Sequence, residues 1–207
     1  SRRRHTRCSR DWSSDVCSSD LVPKRYVLTV GTLEPRKNLL LLFAAFAKLP
    51  KTLRQRFPLV VVGMKGWKYN DLMHEAKVLV DDCELRFLGY VADAQMPYIY
   101  AGAAAFCYPS RYEGFGLPAL EAMASGVPVL TSNTTSLPEV VGHAGLMVDP
   151  DDVGAMIDSL ALLLDDASTS QSLAELGIAR AQTFSWERCA QETLGVYQKL
   201  ASLNNLT

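Results

Sequence analysis

The sequence has no apolar run approaching the roughly 18–20 residues of a membrane-spanning helix, so no part of it reads as a span. It has no surplus of either charge. Its 21 Lys+Arg against 22 Asp+Glu give a net charge of −1, and without a basic excess nothing points to a nucleic-acid partner. Cysteine is scarce, 5 in 207 residues, and the three beyond residue 21, Cys83, Cys107 and Cys189, are widely spaced and odd in number, with neither metal-ligand spacing nor a disulfide framework. Cys107 lies in an apolar stretch and reads as core. With no secretory apolar segment either, the chain reads as cytoplasmic. No repeat of about 20–50 residues and no linker-like stretch follows Leu21, so one domain is expected over residues 22–207. What is present is ordinary globular composition, 48% hydrophobic and 21% charged, enough for one well-buried core.

Residues 1–21 stand apart. They are rich in Arg, Ser and Asp and repeat themselves in Ser9-Arg10-Asp11, Ser13-Ser14-Asp15 and Ser18-Ser19-Asp20. One reading is a basic arm. The favoured one is a segment that is not native coding sequence, since it resembles translated sequencing-adapter read-through. Five of the 21 Lys+Arg and three of the 22 Asp+Glu fall in it, leaving 16 against 19, a net charge of −3.

From Tyr26 onward short apolar runs alternate with amphipathic stretches. Strands are expected at Tyr26–Val30, Leu59–Val62, Leu85–Leu88, Ala104–Tyr108, Val127–Thr131 and Leu146–Val148. Helices are expected at Leu39–Leu49, Asp71–Asp81, Met96–Ala101, Pro118–Ser125, Val153–Leu164, Leu173–Gln182 and Trp186–Leu203, the last with Ser185 as N-cap. Continuous Val/Leu/Ile runs rather than period-two alternation indicate a parallel sheet covered on both faces, an α/β Rossmann-like doubly wound domain. Such sheets bind ligands at the carboxyl ends of their strands, so the loops after the strands are where chemistry is sought.

Three of those loops carry it. After the first strand, Gly31-Thr32-Leu33-Glu34-Pro35-Arg36-Lys37-Asn38 leads into a helix that Pro35 suits as an entry residue. Arg36 and Lys37 then stand at a helix N-terminus, where the dipole by itself disfavours cations. Two solvated bases would explain them, but an anion site explains why that preference is overridden. After the second strand, Gly63-Met64-Lys65-Gly66-Trp67-Lys68 offers glycines that admit a ligand to the backbone and a Lys65 that reaches phosphate, and equally reads as an ordinary turn.

After the fourth strand comes Pro109-Ser110-Arg111-Tyr112-Glu113-Gly114-Phe115-Gly116-Leu117-Pro118. Gly114 and Gly116 permit positive φ, so amides from 114 to 117 can face an oxyanion or sugar hydroxyls. Glu113 in the loop and Glu121 one turn into the helix are expected to face one crevice, a pair of acceptors suited to vicinal hydroxyls. Two alternatives compete. Glu121 is also a favourable first-turn acid with Glu113 a surface residue. And Gly114-x-Gly116-x-x-Ala119 matches a dinucleotide fingerprint, but the next strand ends Leu130-Thr131-Ser132-Asn133 without the acid that would hold a ribose.

Glu113 and Glu121, set in Pro-Ser-x-x-Glu-Gly-Phe-Gly-Leu-Pro-x-Leu-Glu-Ala-Met-Ala-x-Gly-x-Pro-Val, resemble the signature of the retaining glycosyltransferases of group one. Residues 31–38 resemble that family's phosphate-binding loop, and Ser136–Gly142 and Ala144–Pro150 its next two elements, in order. The resemblance implies the C-terminal, donor-binding half of a GT-B enzyme, with an N-terminal domain binding a glycan or lipid-linked acceptor, at the inner face of the membrane. It implies that Arg36, Lys37 and the Leu117 amide hold the donor diphosphate, with no metal and no cofactor. Glu113 would contact the donor sugar beneath the reacting carbon as the catalytic carboxylate, and Gly114, Phe115 and Gly116 would hold the sugar. Glu121 would take the ribose, and Tyr90 and Val91 would flank the base. Transfer would retain configuration by front-face attack, the leaving diphosphate drawing off the acceptor proton. Thr32 departs from one branch that carries a further Arg there, and His143 from the usual acid. Rival classes are a non-catalytic nucleotide-sugar-binding module and a related sugar-nucleotide epimerase, which the ordered motifs disfavour.

Overall fold

The apolar runs form six strands, β1 (Val27–Val30), β2 (Leu59–Val62), β3 (Leu85–Gly89), β4 (Ala105–Tyr108), β5 (Val129–Ser132) and β6 (Gly145–Val148). They pair in parallel throughout, in the order β3-β2-β1-β4-β5-β6. The computed structural model describes residues 26–67 and 69–204, so the expectations for residues 1–21 and for Lys68 lie outside the described residues. Successive side chains of a strand point to opposite faces. Val27, Leu59, Val61, Ala105 and Cys107 therefore enter one core, and Leu28, Val60, Val62, Phe106 and Tyr108 the other. With both faces buried, no polar alternation is left in the strands, which is why they read as unbroken apolar runs.

Nine helices are found among the described residues: α1 (Leu39–Lys48), α2 (Lys51–Arg56), α3 (Tyr69–Asp81), α4 (Met96–Ala101), α5 (Leu117–Ala124), α6 (Leu137–Val141), α7 (Val153–Asp165), α8 (Ala167–Ala181) and α9 (Trp186–Asn204). α1, α2, α3 and α7 supply Leu42, Phe46, Leu53, Ala76, Met156 and Leu160 to the first core. α4, α5 and α6 supply Ile99, Tyr100, Ala122, Met123 and Val140 to the second. α2 and α6 were not expected, although α4, no longer than α2, was. Cys107 is buried with a free thiol as expected. Cys83 is disulfide-bonded, which the spacing did not suggest. No described helix is long and apolar enough to cross a membrane.

The strand order runs outward in both directions from β1 and β4, so the crossovers on either side of that boundary cover opposite faces. The strand order reverses at β1 and β4, and the carboxyl ends of strands at such a boundary are where doubly wound sheets place a ligand crevice. The loops after β1 and β2 lie against each other there. Leu33 N–H donates to the Met64 carbonyl at 3.0 Å, and Leu33 pairs with Lys65 in an isolated parallel bridge. Gly63 and Gly66 serve this contact and not the approach of a ligand. A Cβ on Gly63, at φ +151°, would stand 1.9 Å from the Gly31 carbonyl oxygen, and one on Gly66 2.6 Å from that of Leu33. Gly63→Ala is expected to lower the unfolding free energy in urea by about 3 kcal/mol through strain and overpacking. Gly114→Ala, whose Cβ meets nothing within 4 Å, should shift it by under about 0.5 kcal/mol.

Candidate functional site

The turn after β1 places the cations. Pro35–Lys37 forms a short 3-10 turn, closed by Asn38 at φ 56° and ψ 34°, whose N–H donates to the Pro35 carbonyl at 3.0 Å. α1 starts only at Leu39, so Arg36 and Lys37 do not occupy the α1 N-terminus as the position of Pro35 suggested. Asn38 in the left-handed region interrupts the helix, and its side-chain amide is held 2.7 Å from the Pro150 carbonyl. The consequence is that Lys37 points back into the crevice. It is buried, and the absence of a side chain at Gly31 makes room for it, since a Cβ there would lie 3.0 Å from Lys37 Cε.

Lys37 Nζ donates to Glu113 Oε1 at 2.6 Å and to the Tyr108 hydroxyl at 2.5 Å, and sits 4.7 Å from the centre of the Tyr108 ring. Arg36 Nη1 donates to Glu113 Oε2 at 3.1 Å and to the Tyr112 carbonyl at 3.2 Å, while its Nε donates to Glu34 at 2.9 Å. The two loops are joined in the backbone as well, Arg111 N–H donating to the Arg36 carbonyl at 2.8 Å. The reading of Arg36 and Lys37 as solvated loop bases is thereby set aside for Lys37, whose side chain is 9% exposed. Burial alone would raise the pKa of Glu113, but the hydrogen bond and charge of Lys37 outweigh it and hold the carboxyl below its usual value. Burial, then the charge of Glu113, pushes the Tyr108 hydroxyl far above the usual tyrosine range, so it stays protonated.

The loop that carries Glu113 is fixed by the turn before α6. Glu113 N–H donates to Thr135 Oγ1 at 3.1 Å, and Ser136 Oγ lies 3.0 Å from the Glu113 carbonyl and 2.8 Å from that of Phe115. Gly116, at φ 109°, is the N-cap of α5, and a Cβ on it would meet Leu137 at 2.7 Å. Of the two glycines expected to need positive φ, only Gly116 does. Among the described residues no hydrogen bond uses the amides of Gly114, Phe115, Gly116 or Leu117, which leaves four donors at the start of α5.

Glu121 has a different partner from Glu113. It is exposed and accepts from the Tyr100 hydroxyl at 2.7 Å. Burial, with the nearby Glu121 charge, raises the Tyr100 pKa well above the usual range, which keeps that hydroxyl a donor. Tyr90 is exposed, and Val91 packs at the margin of the second core. His143 stands in the turn between α6 and β6, apart from this cluster in the sequence. Tyr108, Thr135, Ser136 and Glu34 are members of the cluster that sequence reasoning did not single out. The only trace of Tyr108 was its place as the last residue of an apolar strand, next to the loop. Ser136 appeared only as the first residue of the family-like element Ser136–Gly142, and Thr135 gave no trace.

A model of the family described as "Glycosyl transferases group 1" matches residues 19–180. The chain is 44% identical over 202 residues to the O-antigen chain mannosyltransferase B of Escherichia coli, covering 89% of this chain and 53% of that protein. It is 33% identical over 188 residues to the D-inositol 3-phosphate glycosyltransferase of Corynebacterium glutamicum, covering 88% and 45%. Among solved structures it resembles a sucrose-phosphate synthase from Thermosynechococcus elongatus, with 27% identity, a TM-score of 0.78, and coverage of 89% and 48%. An Anabaena protein, HepE, in complex with UDP and glucose shares the fold at 23% identity and a TM-score of 0.73, over 86% and 49%. The chain thus spans about half the length of these relatives.

The depressed Glu113 pKa gives a signed expectation. Its stabilising effect is complete above the unfolded carboxyl value of 4.5 and is lost as pH falls through the lower folded value. Wild-type chain should therefore lose more stability than Glu113→Gln between about pH 5 and about pH 3, compared by urea midpoints after allowing for the other carboxyls common to both.

Proposed function

The chain belongs to the group 1 glycosyl transferases, and on that premise we propose that it holds the nucleotide-sugar donor for transfer of the sugar, with retention, to a glycan or lipid-linked acceptor. The observation that carries this reading is the Lys37–Glu113–Arg36 cluster at the β1–β4 crevice, beside four unused amides at the start of α5. A diphosphate placed there would meet both cations and the Leu117 amide. Arg36, 44% exposed and shared between two carboxylates, is the cation a phosphate can recruit most readily. In this reading Arg36 and Lys37 supply the positive charge that stabilises the departing nucleoside diphosphate, and no metal ion is needed.

Glu113 stays ionised beneath the sugar. Each of its oxygens spends one lone pair on a cation and retains another for a sugar hydroxyl. A carboxyl held below its usual pKa is a poor proton donor at neutral pH, so its part is to favour positive character at the reacting carbon and to hold the sugar with Gly114, Phe115 and Gly116. Proton removal from the acceptor then falls to the leaving phosphate. Glu121, presented by Tyr100, accepts from the ribose hydroxyls, with Tyr90 and Val91 beside the base. The similarity to a mannosyltransferase makes guanosine diphosphate mannose the first donor to test, ahead of the uridine diphosphate hexoses.

In an enzyme completed with the remaining half of its length, Arg36→Ala is expected to lower kcat on the order of 10²-fold. Lys51→Ala, a change at an exposed residue of α2, should leave it unaltered; equal turnover for the two variants would remove the phosphate-clamp assignment. For the chain itself, a nucleoside diphosphate at about 100 times its Kd should stabilise by about 2.7 kcal/mol in a thermal-shift panel. A panel of guanosine and uridine diphosphates and their sugars that leaves Tm unmoved would defeat the reading.

A further inference from the structure

We propose that Phe184 and Arg180, at the junction of α8 and α9, are positioning residues for the donor-sugar loop, setting Phe115 and through it the affinity for the sugar half of the donor. The inference rests on the donor-site reading above and adds residues far from the crevice in sequence. Two separate routes connect this junction to the loop. The direct one is aromatic: the Phe184 ring meets the Phe115 ring edge to face, with centroids 5.9 Å apart and planes at 86°. The indirect one runs through α6. Arg180 Nε donates to the Val140 carbonyl at 3.1 Å and its Nη2 to the Glu139 carbonyl, binding the carbonyl end of that helix. At the other end of α6, Ser136 reaches the Glu113 and Phe115 carbonyls, and Leu137 fills the space left by Gly116.

The two routes close on each other, because the Arg180 guanidinium lies over the Phe184 ring, 4.8 Å from its centre. The side chain of Phe115 is 42% exposed, and its backbone carries one of the four unused amides, so its orientation is not fixed by core packing. The edge-to-face contact and the Ser136 bond are what define it. Immediately after Phe184 the chain enters α9, capped by Ser185, whose Oγ accepts from Arg188 N–H at 3.1 Å. The side chains described along α9 are almost all exposed, Trp186 at 76% among them.

The test separates sugar from nucleotide. The 207-residue chain is titrated calorimetrically with guanosine diphosphate and guanosine diphosphate mannose, and with uridine diphosphate and uridine diphosphate glucose. For the pair that binds, Phe184→Ala should weaken the nucleotide sugar about threefold to tenfold, the range an aromatic pair commands, and leave the nucleoside diphosphate unchanged. Arg180→Met should act in the same sense, and Phe184→Tyr should restore wild-type affinity. Loss of affinity for both ligands in proportion would make Phe184 merely structural and overturn the proposal, as would no change for either. A wild-type chain that binds none of the four would instead refute the donor-site reading, and the proposal with it.

Discussion

A buried lysine and a buried glutamate hold the two halves of the sheet's carboxyl edge together. A charge taken out of water without a partner is costly, and Lys37 and Glu113 offset each other's burial, with Arg36 as a second cation on the carboxylate. Their 2.6 Å contact joins the turn after β1 to the loop after β4, the two segments on either side of the strand-order boundary. Much of the local backbone answers to this pair. Gly31 leaves space for the lysine stem, Asn38 turns the chain so that the lysine points inward, and Tyr108 gives the ammonium a second acceptor.

The helices differ in how they begin. α7, α8 and α9 begin with Asp152, Asp166 and Ser185, whose side chains accept from their own first-turn amides. α1, α2, α4, α5 and α6 have no side-chain cap. Leaving the amides at the start of α5 without a protein acceptor forgoes about 1 kcal/mol of helix stabilisation. It also keeps those donors for something that is not part of the fold, which is how a site departs from the rules that govern the rest of a domain.

Legibility in the sequence followed the physics of each feature. The strands were read nearly to the residue because a sheet buried on both faces writes itself as short apolar runs bounded by glycine. Longer helices such as α3 and α7 were found by their period. α2 and α6 were not, although α4, as short as α2, was. Arg36, Lys37 and Glu113 stood out as charged residues in loops after strands, and Glu121 as an acid one turn into the helix that follows. Their protein partners were not legible. Glu113 is engaged with cations and Glu121 with the Tyr100 hydroxyl, and those contacts span 76 and 21 residues of chain.

By itself the sequence determined the α/β class, the parallel sheet, the family and the loops that carry the candidate site, because each of these is set by local composition and by order along the chain. The tertiary structure alone decided that Gly63 and Gly66 serve loop packing, that Lys37 is buried and not solvated, and that Phe184 reaches Phe115. The physical reason is common to all three. Burial and pairing are properties of segments brought together by crossovers, and no local pattern records which distant side chain fills the space beside a given residue.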